Sequence, residues 1–196
     1  MLPHYLFPIL GALVGDAAGA PLEFYREGLL TDEVVEKAMH MPGKGPHRVG
    51  PGQITDDGEL TLALWRSLHA PGIDTVWNIM QGYAQWYDSY PFDIGFTCST
   101  AFEIFSTMDP TKPYDIVAIE NQIADENHRS EANGALMRAT AIAAWAVETE
   151  ESVEEAVALA RADARLSHPN PICQDCNAIY VYAIYGLLQG HCPQDV

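Results

Sequence analysis

The sequence predicts an all-α protein in which residues 1–196 form one domain. Apolar residues recur at helical spacing in successive segments, no segment alternates convincingly with the period of two that marks a half-buried strand, and no repeat of fixed period occurs. Of the 196 residues, 48% are hydrophobic and 19% are charged. The chain is therefore long enough to bury a core and too apolar to be disordered.

The first helix is predicted over residues 3–20, and we expect it to be central. Three of its glycines share one stripe, so another backbone could approach closely along that side. They are Gly11, Gly15 and Gly19.

Two carboxylates accompany this first helix. Asp16 lies within it, and Glu23 follows Pro21 in a predicted loop. A carboxylate in so apolar a stretch is costly to bury unless it is paired or coordinated. For Asp16 a polar contact inside the bundle and a functional role are both open, whereas the loop position of Glu23 favours function.

A Gly/Pro-rich loop is predicted over residues 41–53, after a short helix over residues 27–40. An irregular loop of this length inside a compact domain is typically functional.

The third helix is predicted to start after Thr55 and to end near His69, and its first residues are Asp56 and Asp57. Thr55 is a natural N-cap, and acidic residues suit the positive end of the helix dipole, so one interpretation is an ordinary helix start. The other interpretation is that this hydroxyl and the two carboxylates offer hard oxygen ligands to Mg²⁺ or a similar cation.

Three further helices are predicted over residues 74–89, 97–108 and 114–125. In the first of them, apolar and aromatic side chains recur at helical spacing, which favours a core face over a ligand platform. These side chains are Val76, Ile79, Met80, Tyr83, Trp86 and Tyr87.

The next helix is predicted over residues 133–147, and it would begin with Asn133 and Gly134. Two interpretations of this Asn-Gly pair stay open. It can be a plain turn, or a turn whose free N–H groups bind phosphate at a helix start.

The last two helices are predicted over residues 152–166 and 172–189. Ser152 and Glu155 form a capping box, which indicates a structural helix start. His168 lies between these helices and precedes a proline, where a histidine is more often a turn residue than a functional one.

Composition and charge exclude several functions. The net charge of −17, from 27 acidic and 10 basic residues, repels phosphate backbones, so nucleic acid is not expected as a partner. The apolar N-terminal stretch lacks the positive region of a signal peptide, and we expect no membrane-spanning run and a cytoplasmic protein. Cys173 and Cys176 form a C-x-x-C pair, but the helical pattern after them favours buried or semi-buried thiols over a zinc site.

Five segments of the chain stand in a recognisable order. They are residues 11–24 (GALVGDAAGAPLEF), 51–57 (PGQITDD), 93–97 (DIGFT), 133–138 (NGALMR) and 167–169 (SHP). One such segment would mean little, but together they resemble the ADP-ribosylglycohydrolase family, and the resemblance spans nearly the whole chain.

The resemblance implies an orthogonal helical bundle with a binuclear Mg²⁺ or Mn²⁺ centre that hydrolyses the bond between ADP-ribose and a protein side chain or small acceptor. ADP-ribose or an ADP-ribosylated protein would be the partner. Position by position, the resemblance implies metal ligands at Glu23, Thr55, Asp56 and Asp57, with Glu23 and Asp57 as the catalytic candidates. It also implies substrate contacts, and these fall on Asn133, Gly134, Ala135, Met137 and His168.

The chain departs from the family pattern at several positions. Gly58 follows the two aspartates where the family usually has threonine, Ala132 and Asn133 replace a Gly-Asn pair, and Ala141 replaces a proline. The family's C-terminal G-D-x-D-T type motif, which supplies further metal ligands, has no match in residues 1–196. The resemblance therefore implies a C-terminally shortened bundle, which would be a truncated family member, a fragment or a shortened form. The alternative is a non-catalytic ADP-ribose-binding or structural protein, since family members have been recruited as lens crystallins.

Overall fold

The structure is a computed structural model that describes residues 2–72 and 74–194. Within these residues the all-α prediction is confirmed, because they form nine α-helices and no strand beyond an isolated bridge between Lys44 and Val49. The helices are Phe7–Gly19 (α1), Asp32–Met39 (α2), Asp56–Leu68 (α3), Thr75–Asp88 (α4), Phe96–Ser106 (α5), Ile116–Asn127 (α6), Thr140–Glu148 (α7), Val153–Arg165 (α8) and Pro171–Leu188 (α9).

Helix α7 lies at the centre of the bundle. Small side chains cover most of it, so α1, α3, α8 and α9 can all pack against it. Its buried residues are Thr140, Ala141, Ile142, Ala143, Ala144 and Ala146. The predicted core face of α4 is confirmed, with Ile79, Met80, Tyr83 and Trp86 buried against α3 and α5.

Helix α1 is less central than the sequence predicts. It packs on α3 and α7, but three of its large apolar side chains are exposed: Phe7, Leu10 and Val14. A methyl group added at any of the three striped glycines would meet no atom within 4 Å outside its own helix. No other part of the described chain therefore makes the close backbone approach expected along this stripe.

The segment His4–Leu22 is long and apolar enough to cross a membrane by length and composition, with 19 residues and a hydropathy of 1.4. The expectation that no run reaches that length is therefore wrong. Core helices of globular proteins and signal sequences share this length and composition. In the structure Asp16, within this segment, is hydrogen-bonded to Thr55 of α3.

The helix predicted to begin at Asn133 begins instead at Thr140. Residues 134–139 form consecutive turns, in which the Met137 N–H donates to the Asn133 carbonyl and the Ala139 N–H to the Leu136 carbonyl. The prediction of a helix N-terminus at the Asn-Gly pair is therefore wrong. The other helix bounds agree with the predicted ones to within a few residues, and the Ser152–Glu155 capping box is present.

Candidate metal and substrate site

Four carboxylates from three segments of the chain lie close together beside α1. Asp56 and Asp57 open α3, Glu23 follows the short turn after α1, and Asp93 precedes α5. Burial, and then the carboxylates of Asp93, Asp57 and Glu23, raise the pKa of Asp56 to about 7, although a hydrogen bond from the Gly95 N–H opposes this rise. The structure thus brings Glu23 into the electrostatic range of both aspartates, as the sequence predicts.

Asp57 experiences the same crowding of negative charge. Burial, and then the carboxylates of Asp16, Glu23 and Asp93, raise its pKa to about 6. Carboxylates that raise one another's pKa lower their charge either by protonation or by binding a cation. The cluster is therefore suited to a divalent cation.

Asp16 anchors the start of α3 from the neighbouring helix α1. Its Oδ2 accepts the Thr55 and Gly58 N–H groups, each at 2.8 Å, and its Oδ1 accepts the Thr55 hydroxyl at 2.8 Å. Thr55 is the N-cap residue as predicted, but its own side chain caps no backbone N–H. Asp16 satisfies these donors instead, so its carboxylate is the paired polar contact that the sequence left open.

Gly58 is explained by this contact. A Cβ at residue 58 would lie 2.6 Å from Asp16 Oδ2 and 2.8 Å from the Ile54 Cβ. Although alanine is the better helix former, we expect Gly58→Ala to lower the free energy of unfolding by about 1–3 kcal/mol, because the added methyl group overpacks the junction. Urea unfolding measures this change.

Gly11→Ala is the matched control for this prediction. Gly11 lies inside α1, and a Cβ there would meet nothing within 4 Å. This variant is expected to raise the free energy of unfolding by about 0.5–1 kcal/mol, the usual helical preference for alanine over glycine. Equal stabilisation by the two substitutions would contradict the close contact between Asp16 and α3.

A histidine that the sequence interpretation missed joins the carboxylates. His47 Nε2 lies 2.8 Å from Glu23 Oε2 and 3.4 Å from Asp93 Oδ2. Despite these distances, this buried nitrogen has no hydrogen-bond partner of suitable geometry among the described residues. One ligand atom from each of Glu23, His47 and Asp93 lies within 4.8 Å of the others, a spacing that could hold a metal ion.

The Gly/Pro-rich loop places His47 by close backbone packing. Lys44 and Val49 pair with each other, so His47 lies at the tip of a tight turn. Gly45 has a φ of +68°, and a Cβ there would lie 2.7 Å from the Ala20 carbonyl oxygen, just before Glu23 in the chain. One feature of the sequence could have identified His47. It is the only histidine in residues 41–53, the loop that was predicted to be functional.

A cavity of about 270 Å³ is lined both by Asp57 of the acidic cluster and by Asn133 and Met137 of the predicted substrate segment. Asp16 and Tyr180 also line it. A larger groove of about 650 Å³ lies between α3 and α4, but none of the predicted site residues lines it. We therefore regard the smaller cavity as the candidate substrate pocket.

The remaining predicted substrate residues do not line this cavity. Gly134 and Ala135 are buried, and the His168 ring packs directly on Gly134 and is 1% exposed. Burial and the nearby Arg138 guanidinium lower the pKa of His168 to about 3, so its imidazole is neutral. The structure thus groups Asn133, Met137 and Asp57 around one space, and His168 lies buried against Gly134.

Comparison with known proteins gives a consistent result. Residues 8–196 match the ADP-ribosylglycohydrolase family. The chain is 30% identical over 194 residues to a protein of Acanthamoeba polyphaga mimivirus named as an ADP-ribosyl glycohydrolase, covering 96% of this chain and 56% of that protein. It is 46% identical over 91 residues to the ADP-ribosyl-dinitrogen reductase glycohydrolase of Rhodospirillum rubrum, covering 45% of this chain and 30% of that enzyme.

A solved structure supports the same relationship. The fold resembles a chain of an ADP-ribosylglycohydrolase-related protein complex with a TM-score of 0.72 and 26% identity, over 95% of this chain and 56% of that chain. The present chain thus spans about half of the length of the mimivirus protein and of this structural neighbour.

Proposed function

Because the chain belongs to the ADP-ribosylglycohydrolase family, we propose that it takes part in cation-dependent hydrolysis of the bond between ADP-ribose and a protein side chain or small acceptor. The observation that carries this proposal is the cavity shared by Asp57 and by the Asn133 and Met137 side of the site. One of the acids that can hold a cation, Asp57, and a segment that the family resemblance assigns to ADP-ribose line one space.

The chemistry of the donor set fits a divalent cation. Thr55, Asp56, Asp57 and Glu23 offer hard oxygen atoms, which suit Mg²⁺ or Mn²⁺. His47 adds an imidazole nitrogen beside Glu23, and imidazole is a ligand that suits transition metals better than Mg²⁺. A bound cation would supply Lewis-acid polarisation of a water molecule and orient the ribose hydroxyls.

The side chains have separable roles in this proposal. Glu23 is the candidate acid/base as well as a candidate cation ligand, because its carboxylate is partly exposed and lies 2.8 Å from His47 Nε2. Asp57 lines the cavity, where it can accept hydrogen bonds from a ribose. Asp16 holds the backbone at Thr55 and Gly58, and this fixes the direction in which α3 presents its first acids.

A binding titration and a release assay test the proposal. ADP-ribose is added to the protein in an isothermal calorimeter with Mg²⁺, with Mn²⁺ and with EDTA, and release of ADP-ribose from an ADP-ribosylated protein is followed in the same three buffers. Cation-dependent binding with release supports a hydrolase. No release in any buffer, together with no binding, would refute the proposal.

A non-catalytic ADP-ribose-binding protein is the second candidate. The observation that favours it is that, of the four predicted metal ligands, only Asp57 lines the cavity shared with Asn133 and Met137. Binding of ADP-ribose that is equal in EDTA and in Mg²⁺, without release, identifies this function.

A further inference from the structure

A network of buried polar side chains lies beneath the Asn133–Gly134 loop, and Arg138 is at its centre. Arg138 is completely buried, and its Nε donates to Asp163 Oδ2 at 3.0 Å. Its Nη1 donates to the Gly134 carbonyl at 2.9 Å, and its Nη2 donates to the Asp163 carbonyl at 3.1 Å and to Ser167 Oγ at 2.9 Å. The guanidinium is thereby fixed by four oxygen acceptors.

Ser167 links Arg138 to the His168 ring through hydrogen bonds. Ser167 Oγ accepts a hydrogen bond from Arg138 and lies 2.9 Å from His168 Nδ1. A hydroxyl carries one hydrogen, and among the described residues the only acceptor within reach of Ser167 Oγ is His168 Nδ1. If the hydroxyl donates to Nδ1, the proton of the neutral imidazole must lie on Nε2.

The opposite tautomer leaves more groups unpaired. With the proton on Nδ1, the ring would donate to Ser167 Oγ, the serine hydroxyl hydrogen would lose its only acceptor, and the Nε2 lone pair would also stay unpaired. With the proton on Nε2, the Nε2–H donor is the one group that is left unpaired. Because each buried unpaired polar group costs about 1–3 kcal/mol, the Nε2–H tautomer is favoured.

The remaining donor faces the loop. His168 Nε2 is buried and has no partner among the described residues. A Cβ built on Gly134 would lie 3.2 Å from this nitrogen and 2.8 Å from His168 Cε1, so the absence of a side chain at residue 134 keeps the donor free of contact. A buried N–H without an acceptor is uncommon in proteins unless a ligand or a water completes it.

We propose that Ser167, held by Arg138, is a positioning residue that fixes His168 as the Nε2–H tautomer and so reserves one neutral donor for an oxygen acceptor brought to the Asn133–Gly134 loop. The identity of that acceptor rests on the proposed function: it is a phosphate oxygen or a hydroxyl of a sugar phosphate. The tautomer itself rests only on the hydrogen bonds between Arg138, Ser167 and His168.

Nitrogen-15 correlation spectra of the histidine rings test the tautomer. The chain has seven histidines, and His168→Gln identifies the signals of His168 by their loss. The native protein is expected to show a protonated Nε2 and an unprotonated Nδ1. Ser167→Ala is expected to remove this preference, and Ser167→Thr, which keeps a hydroxyl, is expected to retain it. A protonated Nδ1 in the native protein, or an unchanged tautomer in Ser167→Ala, would overturn the proposal.

A matched control separates this effect from a general loss of structure. Ser106 is a helical serine whose hydroxyl donates to Asp88, away from this network. Ser106→Ala is expected to leave the His168 signals unchanged. If Ser167→Ala does not fold, Ser167→Thr and Ser167→Cys still decide the question, because a thiol donates far more weakly than a hydroxyl and should partly release the tautomer.

Ligand additions test the acceptor with ADP-ribose, ribose 5-phosphate and inorganic phosphate as separate probes. A shift of the His168 Nε2–H signal with all three indicates a phosphate oxygen, and a shift with the two sugars alone indicates a hydroxyl. Ser167→Ala is expected to bind ADP-ribose about threefold to tenfold more weakly than the native protein, the usual effect of one hydrogen bond.

The failures of the two proposals can be distinguished. If calorimetry shows ADP-ribose binding while the His168 signal stays constant, the acceptor assignment is wrong and the proposed function survives. If calorimetry shows no ADP-ribose binding, the proposed function and the acceptor assignment both fail, and the tautomer experiment then decides the role of Ser167 alone.

Discussion

The substitution Asp56→Asn is expected to reduce the proposed cation-dependent release of ADP-ribose by at least about a hundredfold while leaving the helical circular dichroism unchanged. Asp56 is 9% exposed and lies among carboxylates that raise its pKa to about 7. An amide has nearly the same shape but lacks the negative charge that a divalent cation requires. Rates of release over a range of Mg²⁺ and Mn²⁺ concentrations measure the loss.

The same substitution is expected to stabilise the metal-free protein at high pH. The pKa of Asp56 in the folded protein, about 7, exceeds the value of about 3.9 for an unperturbed aspartate. Between these values the folded state binds more protons than the unfolded state, so this residue's contribution to stability falls as the pH rises from about 4 to about 7. Asparagine cannot ionise and avoids this loss.

Thermal unfolding in EDTA at pH 4.5 and pH 8 tests the direction of this change in stability with pH. The melting temperature of Asp56→Asn should exceed that of the native protein at pH 8, and the difference should shrink toward pH 4.5. Addition of Mn²⁺ at pH 8 should stabilise the native protein more than the variant, because a ligand stabilises the state that binds it.

Asp32→Asn is the control, since Asp32 also lies in the first turn of a helix but is exposed. It should leave release unchanged and alter the melting temperature little at either pH. An Asp56→Asn protein that retains native rates at every cation concentration would remove Asp56 from the proposed metal ligands.

The fold was predictable wherever local chemistry determines it. Ser152 and Glu155 specify the start of α8 within four residues of sequence, and the structure contains the predicted capping box. The start of α7 was not predictable in the same way, because the apolar pattern after Asn133 suits a helix. The turns over residues 134–139 instead depend on the Arg138 bond to the Gly134 carbonyl, made by a side chain that Asp163 of α8 holds in place.

The candidate site likewise contains residues that the sequence could identify and residues that it could not. Glu23, Asp56 and Asp57 could be assigned from motifs in the sequence, and the structure brings their charges together. The roles of Asp16 and His47 could not be assigned from the sequence. Asp16 binds the start of a helix 39 residues away, and His47 reaches Glu23 only because a Gly/Pro-rich loop folds back. Such long-range contacts leave no periodic signal in a single sequence.

The largest effect on stability is expected at the buried ion pair between Arg138 and Asp163. Both side chains are fully buried, Arg138 Nε lies 3.0 Å from Asp163 Oδ2, and the guanidinium stacks over the Tyr83 ring at 4.5 Å. The Tyr83 hydroxyl donates to the other oxygen of the same carboxylate at 2.6 Å. This network joins α4, the start of α7 and α8.

Asp163→Asn is expected to lower the free energy of unfolding by about 3–5 kcal/mol, because it leaves the Arg138 charge buried without a counter-charge. That loss is a large part of the total stability of about 5–15 kcal/mol that is usual for a folded domain. Urea unfolding, followed by circular dichroism and by tryptophan fluorescence, measures it.

The pair between Arg161 and Asp175 provides the comparison, since it joins the same helix α8 to α9 but is largely exposed to solvent. Asp175→Asn is expected to cost less than about 1 kcal/mol, as is usual for surface ion pairs. A double variant, Arg138→Met with Asp163→Asn, should recover part of the stability lost in Asp163→Asn, because it removes the unpaired charge. If Asp163→Asn costs no more than Asp175→Asn, Arg138 is not buried beside Asp163, and the support that the network gives to the Asn133–Gly134 loop is lost with it.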